Sequence, residues 1–365
     1  MAELPPRAIA WAQTMAGHSG DGLVRAHRDP GVRLGLARPM LRAQREEWEA
    51  EHLTVGSTLA LGAGDRARPE QPDVERTCFQ RDRDRIVHST AFRRLAGKTQ
   101  VMVHPTDHQR TRLTHALEVA QVATSIARGV GVNVTLAEAI ALGHDCGHGP
   151  GGHASEDAFD TFLADGYDHG PWGADVVLTP LNLCAETLDG IRNHSWSRPT
   201  PSTVEGEIVS WADRIAYCAH DLEDAIGAGI VRAADLPAQV TALTGATRRE
   251  QLGVFIREVI GTTVRTGEIG MGPEVADALA QLRAFNYERI YTRPESLAQS
   301  EAVVAVLKAL VSFYLERPER LPEPAPSADP VRAAVAYVGG MTDRFAFDTA
   351  VELLGWRRDR LPRQA

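Results

Sequence analysis

The sequence has 365 residues, of which 43% are hydrophobic and 24% are charged, and its net charge is −9. These proportions exclude a disordered or fibrous chain, and the negative charge argues against a surface that binds nucleic acid throughout. No apolar run reaches the about 18 residues of a membrane helix and no signal peptide is apparent, so we expect a cytoplasmic protein without a membrane partner.

The first 74 residues differ from the rest. Residues 1–74 combine weak periodicity with scattered Gly and Pro, which predicts an irregular or partly disordered lead-in with one helix at "REEWEAEH". From Glu75 onward the periodicity is helical. An apolar stripe predicts a helix in "RTRLTHALEVAQVATSIARG" that ends at Gly129.

Capping-box spacing predicts two further helix starts. Thr135 and Glu138 open "TLAEAIALGHDCG", and Ser202 and Glu205 open "STVEGEIVSWADRIAYCAHDLEDAIGAG". The second of these helices should run for six or seven turns.

The C-terminal third is also predicted to be helical. Apolar periodicity predicts helices over 273–290 and 295–316, followed by a proline-rich connection over 317–330. The remaining helical region, 331–365, is too short to fold alone and should pack on the main domain, 75–316. Strand-like alternation is nearly absent, so the predicted fold class is all-α, a helical bundle with additional C-terminal helices.

Four polar residues interrupt otherwise apolar helices: His115, His144, Asp145 and Asp213. Burying an unpaired carboxylate or imidazole would cost several kcal/mol. One divalent cation bound by all four would remove that cost. Two imidazoles and two carboxylates suit Mn²⁺, Fe²⁺, Ni²⁺, Zn²⁺ or Mg²⁺, with positions left open for water. The sequence therefore predicts a metal site built from three helices.

A basic block precedes and overlaps the first of these helices. Residues 76–128 carry ten Arg and Lys against four Asp and Glu. The block is either the binding surface for a local anionic ligand or a salt-bridged face. Arg112 lies one helical turn before His115, so it should project beside the metal and is the best phosphate ligand of the block.

The long downstream helix carries a polar stripe. Asp213, Tyr217 and Asp221 follow i, i+4, i+8 and share one face, with Arg214 alongside. This stripe is either the wall of a polar pocket or a surface-facing stripe.

The segment "HDCGHGPGGH" holds two more histidines, His148 and His153, in a glycine-rich loop. The glycines and Pro150 end the helix and allow close approach of backbone and ligand. An imidazole titrates near neutrality and can pass a proton to a leaving oxygen. The alternative for either histidine is a cap of the neighbouring helix.

An isolated His, an adjacent His-Asp pair and a downstream Asp resemble the signature of the HD superfamily of metal-dependent phosphohydrolases. The segments "RDRDRIVHSTAFRRLAGKTQV", "RTRLTHALEVAQV", "HDCGHGPGGHASE", "WADRIAYCAHDLEDA" and "GMTDRFA" are similar to successive blocks of one branch, the bacterial dGTPase-like deoxynucleoside triphosphate triphosphohydrolases. The resemblance spans about residues 76–350.

This resemblance implies metal-dependent hydrolysis of deoxynucleoside triphosphates, dGTP or a broader set, at the α-phosphate. The products would be deoxynucleoside and tripolyphosphate. Mn²⁺ and Mg²⁺ are the first candidates for the metal, with Fe²⁺, Ni²⁺, Zn²⁺ and Co²⁺ as others. The resemblance also implies a homo-oligomer, a tetramer or hexamer, with a nucleotide or single-stranded DNA as effector.

The resemblance also assigns roles to residues. It implies His153 as general acid or base with Glu156 as its acidic partner, and His148 as a phosphate contact. Tyr217 and Asp221 would read the sugar 3′-hydroxyl and exclude a 2′-hydroxyl. The full substrate-binding set implied is Arg112, His169, Arg214, Tyr217, Asp221 and Tyr287. For Tyr287 and its neighbour Tyr291, core packing is the alternative role.

The chain departs from the family pattern at Cys146, at Gly149 and Gly151, which stand where the family has a second proline and an aromatic residue, and after His169. Cys146 stands where the family has leucine, and we interpret it as a small packing residue. The segment "HGPWGAD", which begins at His169, lacks the residues that usually contact the nucleotide in this family. A substrate other than the usual one is therefore an alternative. Two other functions therefore remain. One is another HD phosphohydrolase, namely a nucleotide phosphodiesterase, a nucleotidase or an alarmone hydrolase. The other is a non-catalytic, nucleotide-binding regulatory HD protein.

Overall fold

A computed structural model describes residues 4–28, 34–35, 37–101, 103, 107–322 and 327–362. The chain divides into two compact units, Met1–Met40 and Leu41–Ala365. The segment 41–74, which the sequence analysis assigned to the lead-in, is grouped with the larger unit.

The first unit contains one helix and one hairpin. Helix α1 spans Pro6–Thr14, and strands β1 (His18–Gly20) and β2 (Leu23–Arg25) pair antiparallel. Asp21 and Gly22 form the two-residue turn with φ values of 55° and 74°, which is the conformation that a type I′ turn requires of both central residues.

The second unit is helical. The all-α prediction is confirmed, because the three-residue strands of the first unit are the only ones among the described residues. The α-helices of the second unit are α2 (Arg42–His52), α3 (Cys78–His88), α4 (Thr90–Arg94), α5 (Arg112–Val130), α6 (Val134–Gly143), α7 (Ala154–Asp160), α8 (His169–Trp172), α9 (Ala185–Asn193), α10 (Val204–Gly227), α11 (Ala238–Thr244), α12 (Arg248–Thr266), α13 (Pro273–Asn286), α14 (Pro294–Glu316), α15 (Pro330–Gly339) and α16 (Asp343–Leu354).

Three of these helices form the centre of the main core. Helix α5 packs against α6, α10 and α12, and α10 also packs against α6 and α9. Gly129, predicted to end α5, lies inside the helix instead. A Cβ at Gly129 would lie 2.4 Å from Ile260 Cδ1, so this glycine permits close packing of α5 on α12. The helix ends at Gly131, which has a φ of 75° and the left-handed conformation of a glycine cap.

The predicted caps of α6 and α10 are displaced by one or two residues. Asn133 caps α6 by accepting from Leu136 N, and Thr203 caps α10 by accepting from Gly206 N. Glu205 makes no capping box, because its buried carboxylate accepts hydrogen bonds from Thr58 N and Oγ1, Ser57 Oγ and Asn133 N. These bonds attach residues 57–58 to the helical core.

A second hydrophobic cluster lies around α14. Its buried residues include Val303, Val306, Leu307 and Leu310 of α14, and helices α7, α15 and α16 pack against this helix. The length and composition of α14 would suffice for a membrane span, with an 18-residue window of mean hydropathy 1.4. Glu301 and Lys308 interrupt its apolar sequence, and the helix contributes those four side chains to a core.

The C-terminal helices follow the sequence expectations with different ends. The helix predicted over 273–290 ends at Asn286 and continues as a π-helical turn, Tyr287–Tyr291. Helix α14 begins at Pro294, and α15 begins at Pro330 after the proline-rich connection.

Candidate metal and phosphate site

The packing of α5, α6 and α10 brings together the four residues that interrupt apolar helices. His115 lies in the first turn of α5, the pair His144 and Asp145 directly follows α6, and Asp213 lies in the middle of α10. His115 Nε2 is 3.0 Å from Asp213 Oδ1 and 3.9 Å from Asp145 Oδ2. His144 Nε2 is 3.5 Å from Asp145 Oδ1 and 3.7 Å from Asp213 Oδ1. Each of the four side chains therefore lies within 4.0 Å of two of the others. Their ligand atoms form two possible metal-binding groups that share His144, one with His115 and Asp145 and the other with Asp213 and His194.

The state of these groups fits a divalent cation. His144 Nδ1 donates to Ala141 O at 2.6 Å, which leaves the lone pair on Nε2. That Nε2 atom is buried and has no hydrogen-bond partner among the described residues. Burial alone would raise the pKa of Asp145, but the charge of Arg112, followed by the nearby histidines, lowers it well below its usual value. An ionised carboxylate beside a free imidazole lone pair is a suitable ligand set for a divalent metal ion.

Asp213, like Asp145, has a lowered pKa. Burial opposes its ionised form, but the hydrogen bond with His115 and the charges of His144 and His115 lower its pKa. At His115 burial favours the neutral ring, but the same hydrogen bond and the charges of Asp145, Asp213 and Asp221 together raise the pKa of that imidazole.

Arg112 lies directly beside the cluster. Its side chain is 2% exposed, and Nη1 donates to Asp145 Oδ2 at 2.8 Å. Nε and Nη2 are buried without a hydrogen-bond partner among the described residues. Because a buried guanidinium normally satisfies its donors, these two atoms are available to an anionic ligand.

The glycine-rich loop after Asp145 folds tightly against neighbouring backbone. A Cβ at Gly147 would lie 2.0 Å from His169 O, and a Cβ at Gly152, which has a φ of 64°, would lie 2.6 Å from Arg112 Nη2. Cys146 is buried in the core. Burial raises the pKa of its thiol to about 12, which suits a packing residue.

Three histidines follow along the loop and the start of α8. His148 Nε2 is 3.2 Å from Asp145 Oδ1, and its ring stacks on that of His169 with centroids 3.8 Å apart. Glu156, expected as the partner of His153, accepts a hydrogen bond from His169 Nδ1 at 2.5 Å and also lies within 4.8 Å of a ring nitrogen of His153. Burial opposes the charged ring of His169, but this bond and the charges of Glu156 and Asp145 together raise its pKa.

His153 is the exposed member of this group. Its ring lies 4.9 Å from that of His148 and 5.9 Å from that of His169. Desolvation, followed by the charge of Arg112, lowers the pKa of this imidazole. The imidazole of His153 is therefore neutral at pH 7.

The cluster opens into a cavity of about 490 Å³, a size typical of small-molecule sites. All the residues of the predicted site line this cavity except His144 and Glu156. The lining predicted residues are Arg112, His115, Asp145, His148, His153, His169, Asp213, Arg214, Tyr217, Asp221 and Tyr287.

The polar stripe of α10 forms one wall of the cavity. Tyr217 Oη accepts from Arg283 Nε at 2.8 Å, and Tyr291 Oη donates to Asp221 Oδ2 at 2.6 Å. Burial raises the pKa of Asp221 to about 7. Tyr287 is 57% exposed, so core packing is wrong for this residue.

Sequence reasoning did not identify His194, Trp196 and Arg283, which line this cavity and contact predicted site residues. His194 Nε2 is 3.1 Å from His169 Nε2, and the guanidinium of Arg214 lies 3.4 Å above the ring of Trp196. None of the three belongs to a recognisable spacing pattern. The only local signal was the pairing of His and Trp in "NHSW", at the end of α9.

Half of the ten basic residues in the block form ion pairs away from the cavity, namely Arg76, Arg81, Arg83, Arg85 and Arg110. Arg81 and Arg85 both bind Glu70, and Arg110 binds Glu118, Glu223 and Asp224. The salt-bridge interpretation therefore holds for these three arginines. Arg112 is the member of the block that reaches the cavity among the described residues.

Comparisons with known proteins agree with this architecture. The HD domain family matches residues 112–218, and the phosphohydrolase-associated domain matches residues 269–352. A crystal structure of a hypothetical protein from Aquifex aeolicus aligns with a TM-score of 0.50 at 17% identity, over 76% of this chain and 69% of that one. The structural similarity between the two chains supports the helical fold described above. The fold and the site thus define an HD-domain phosphohydrolase.

Relatives identify the family within that class. The chain is 39% identical to a deoxyguanosinetriphosphate triphosphohydrolase-like protein of Caldanaerobacter subterraneus subsp. tengcongensis, over 84% of this chain and 93% of the relative. It is 38% identical to a protein of the same name from Clostridium perfringens, over 84% and 95%. The chain belongs to the deoxyguanosinetriphosphate triphosphohydrolase-like family, as its sequence motifs predicted.

Proposed function

We propose that the protein is a metal-dependent deoxynucleoside triphosphate triphosphohydrolase that cleaves dGTP or a broader set of deoxynucleoside triphosphates at the α-phosphate. One observation carries the proposal. A cavity of about 490 Å³ joins a four-residue ligand cluster to three arginines, Arg112, Arg214 and Arg283. Among the described residues, neither Arg214 nor Arg283 has a carboxylate partner within 4.0 Å. Unpaired guanidinium groups around a cavity favour a polyanionic ligand.

The proposed metal ligands are His115, His144, Asp145 and Asp213. A bound divalent ion, Mn²⁺ or Mg²⁺ in the first instance, would polarise a phosphoryl oxygen and supply an acidified water. Fe²⁺, Ni²⁺, Zn²⁺ and Co²⁺ are the other candidates.

The arginines would bind and orient the triphosphate. Arg112 has two buried donors without partners, and Asp145 fixes its third group. Donors that are held in place before the ligand arrives stabilise developing charge without reorganisation. The guanidinium of Arg214, supported by Trp196, and that of Arg283, held by Tyr217, would contact further phosphate oxygens.

His153 would act as the general acid. Its low pKa keeps the imidazole neutral at pH 7, and the negative charge of a bound triphosphate would raise that pKa. The protonated ring would then deliver its proton to the leaving 5′-oxygen. Glu156 would act on His169 and hold that ring, while His148 and His169 would contact the phosphates.

The sugar would lie against the α10 wall. Asp221 and Tyr291 are already joined by a hydrogen bond, and together with Tyr217 they offer donors and acceptors to a 3′-hydroxyl. Tyr287, exposed at the cavity, would contact the base.

The test is product analysis. Purified protein, stripped with EDTA and reloaded with each metal in turn, is incubated with each dNTP and each NTP, and the products are separated by ion exchange. We expect deoxynucleoside and tripolyphosphate in equal amounts. His153→Ala should abolish most of the turnover, and His88→Ala, at an exposed histidine of α3, serves as the matched control. Pyrophosphate or monophosphate products would indicate a different HD phosphohydrolase, and binding without turnover would indicate a regulatory protein.

The same proposal includes a cytoplasmic homo-oligomer, a tetramer or hexamer, with a nucleotide or single-stranded DNA as effector. Light scattering of the purified protein with and without dNTPs and oligonucleotides tests this assembly. A monomer under all of these conditions would contradict it.

A further inference from the structure

The segment "GMTDRFA" forms the start of α16, and one of its residues contacts the loop that carries the cavity histidines. Asp343 is 5% exposed. Its Oδ2 accepts from Thr99 N at 2.9 Å and from Thr99 Oγ1 at 2.5 Å. Its Oδ1 accepts from Gly151 N at 2.8 Å. One buried carboxylate thus joins two segments that are distant in sequence.

Both of these segments line the cavity. Gly151 lies two residues before His153, has a φ of 73° and packs against Val303 of α14. Thr99 forms a bridge with Thr111 immediately before α5. The positions of His153 and of the start of α5 are therefore linked to Asp343.

Lys98 provides a second connection between the same parts. Its ammonium group is buried and donates to His148 O and to Gly339 O, the latter at 2.9 Å. Lys98 O also accepts from Arg112 N at 3.2 Å. A charged group is expensive to bury unless its donors are satisfied, so these carbonyl contacts are needed to hold the lysine where it is.

We propose that Asp343 and Lys98 form a clamp through which the C-terminal helices position the histidine loop against Arg112, so that Asp343 is a positioning residue for the reaction. The kinetic part of this proposal rests on the proposed function. The structural part does not, because it concerns the order of the loop itself.

The clamp needs both oxygens of a carboxylate. An asparagine at position 343 offers one oxygen and one amide donor. If the oxygen faces Thr99, the amide group faces the N–H of Gly151, and two donors oppose each other. If it faces Gly151, the amide group opposes the N–H of Thr99, so that this bond is lost and only the Thr99 hydroxyl can still pair, by accepting from the amide. Asp343→Asn should therefore loosen one of the two segments without leaving a cavity.

Steady-state kinetics of the full chain with dGTP, or with whichever dNTP is turned over, gives the first readout. Misplacement of reacting groups by about 1 Å can lower the rate about 100-fold. We expect Asp343→Asn to lower kcat about 10- to 100-fold with KM changed less than about twofold, because the chemical step depends on loop geometry. Asp348→Asn is the matched control on the same helix, where the carboxylate is 40% exposed and pairs with Arg358.

Hydrogen–deuterium exchange gives the second readout, which is independent of turnover. In Asp343→Asn, exchange should rise in residues 146–153 and 98–100 while α5 and α10 keep the protection of the wild type. Lys98→Met should give the same pattern and substitutes for the first variant should that fail to fold. An equal rise throughout the larger unit, or unchanged exchange in the loop, would overturn the clamp. Absence of dNTP turnover in the wild type would instead refute the proposed function and leave the exchange result to decide on the clamp.

Discussion

The pair formed by Arg112 and Asp145 allows a quantitative prediction of stability. Their side chains are 2% and 3% exposed, and Arg112 Nη1 lies 2.8 Å from Asp145 Oδ2. Removing one partner of a buried ion pair costs about 3–5 kcal/mol, because the other charge stays buried without compensation. Asp145→Asn retains one oxygen that can accept from Arg112, so we expect the lower end of this range, about 3 kcal/mol of unfolding free energy.

The assay is urea unfolding followed by circular dichroism. It is carried out in EDTA, so that loss of metal binding does not add to the difference in stability. Asp157→Asn, at an exposed position of α7, is the control and should change the free energy of unfolding by less than about 0.5 kcal/mol. A loss for Asp145→Asn below about 1 kcal/mol would refute the reasoning, since it would mean that Arg112 does not depend on this carboxylate.

Three further predictions test the loop and the cavity walls. His153→Ala should lower kcat about 10²- to 10⁴-fold in steady-state assays. Urea unfolding should meanwhile show an unchanged stability, and a normal kcat would exclude the proton-transfer role. The pKa of Asp221 is raised from 3.8 to about 7, so the folded state holds a proton that the unfolded chain has lost, and wild-type stability should fall as the pH rises through this window. The free energy of unfolding of Asp221→Asn, relative to that of the wild type, should therefore increase as the pH rises between these two values and stay constant above them. A relative stability that does not change with pH in urea titrations would contradict this. Gly147→Ala should destabilise by at least about 1–3 kcal/mol in thermal unfolding, because its Cβ would lie 2.0 Å from His169 O, whereas Gly270→Ala, with no atom within 4 Å of the added Cβ, should have little effect.

Much of the fold follows from local sequence. The apolar stripes of α5 and α10 predicted both helices, because helical periodicity places such residues on one face. The ends of these helices were harder to predict, because the residues at those ends also make tertiary contacts. Gly129 is small because Ile260 packs on it, and Glu205 is acidic because residues 57–58 and Asn133 donate to it. Neither partner is near in sequence, so a local pattern could not distinguish these roles from capping.

The candidate site could also be predicted in part from the sequence. The sequence predicted that His115, the 144–145 pair and Asp213 meet, and the structure brings them together. The family resemblance implied Glu156 as the acidic partner of His153, and the structure adds a hydrogen bond from His169 of another helix to the same carboxylate. His194 and Trp196 could not be found, because their place in the cavity depends on how α9 packs against α10.

The proposed chemistry depends on one metal ion that side chains from α5, α10 and the end of α6 bind together, and the metal content of the protein tests for this ion. Wild-type protein reloaded with Mn²⁺ and desalted should hold one ion per chain by atomic emission spectrometry, and so should His153→Ala. His144→Ala and Asp213→Asn, which each remove one proposed ligand from a different helix, should hold far less than one. Equal metal content in the wild type and in both ligand variants would contradict the claim that these side chains bind one ion together.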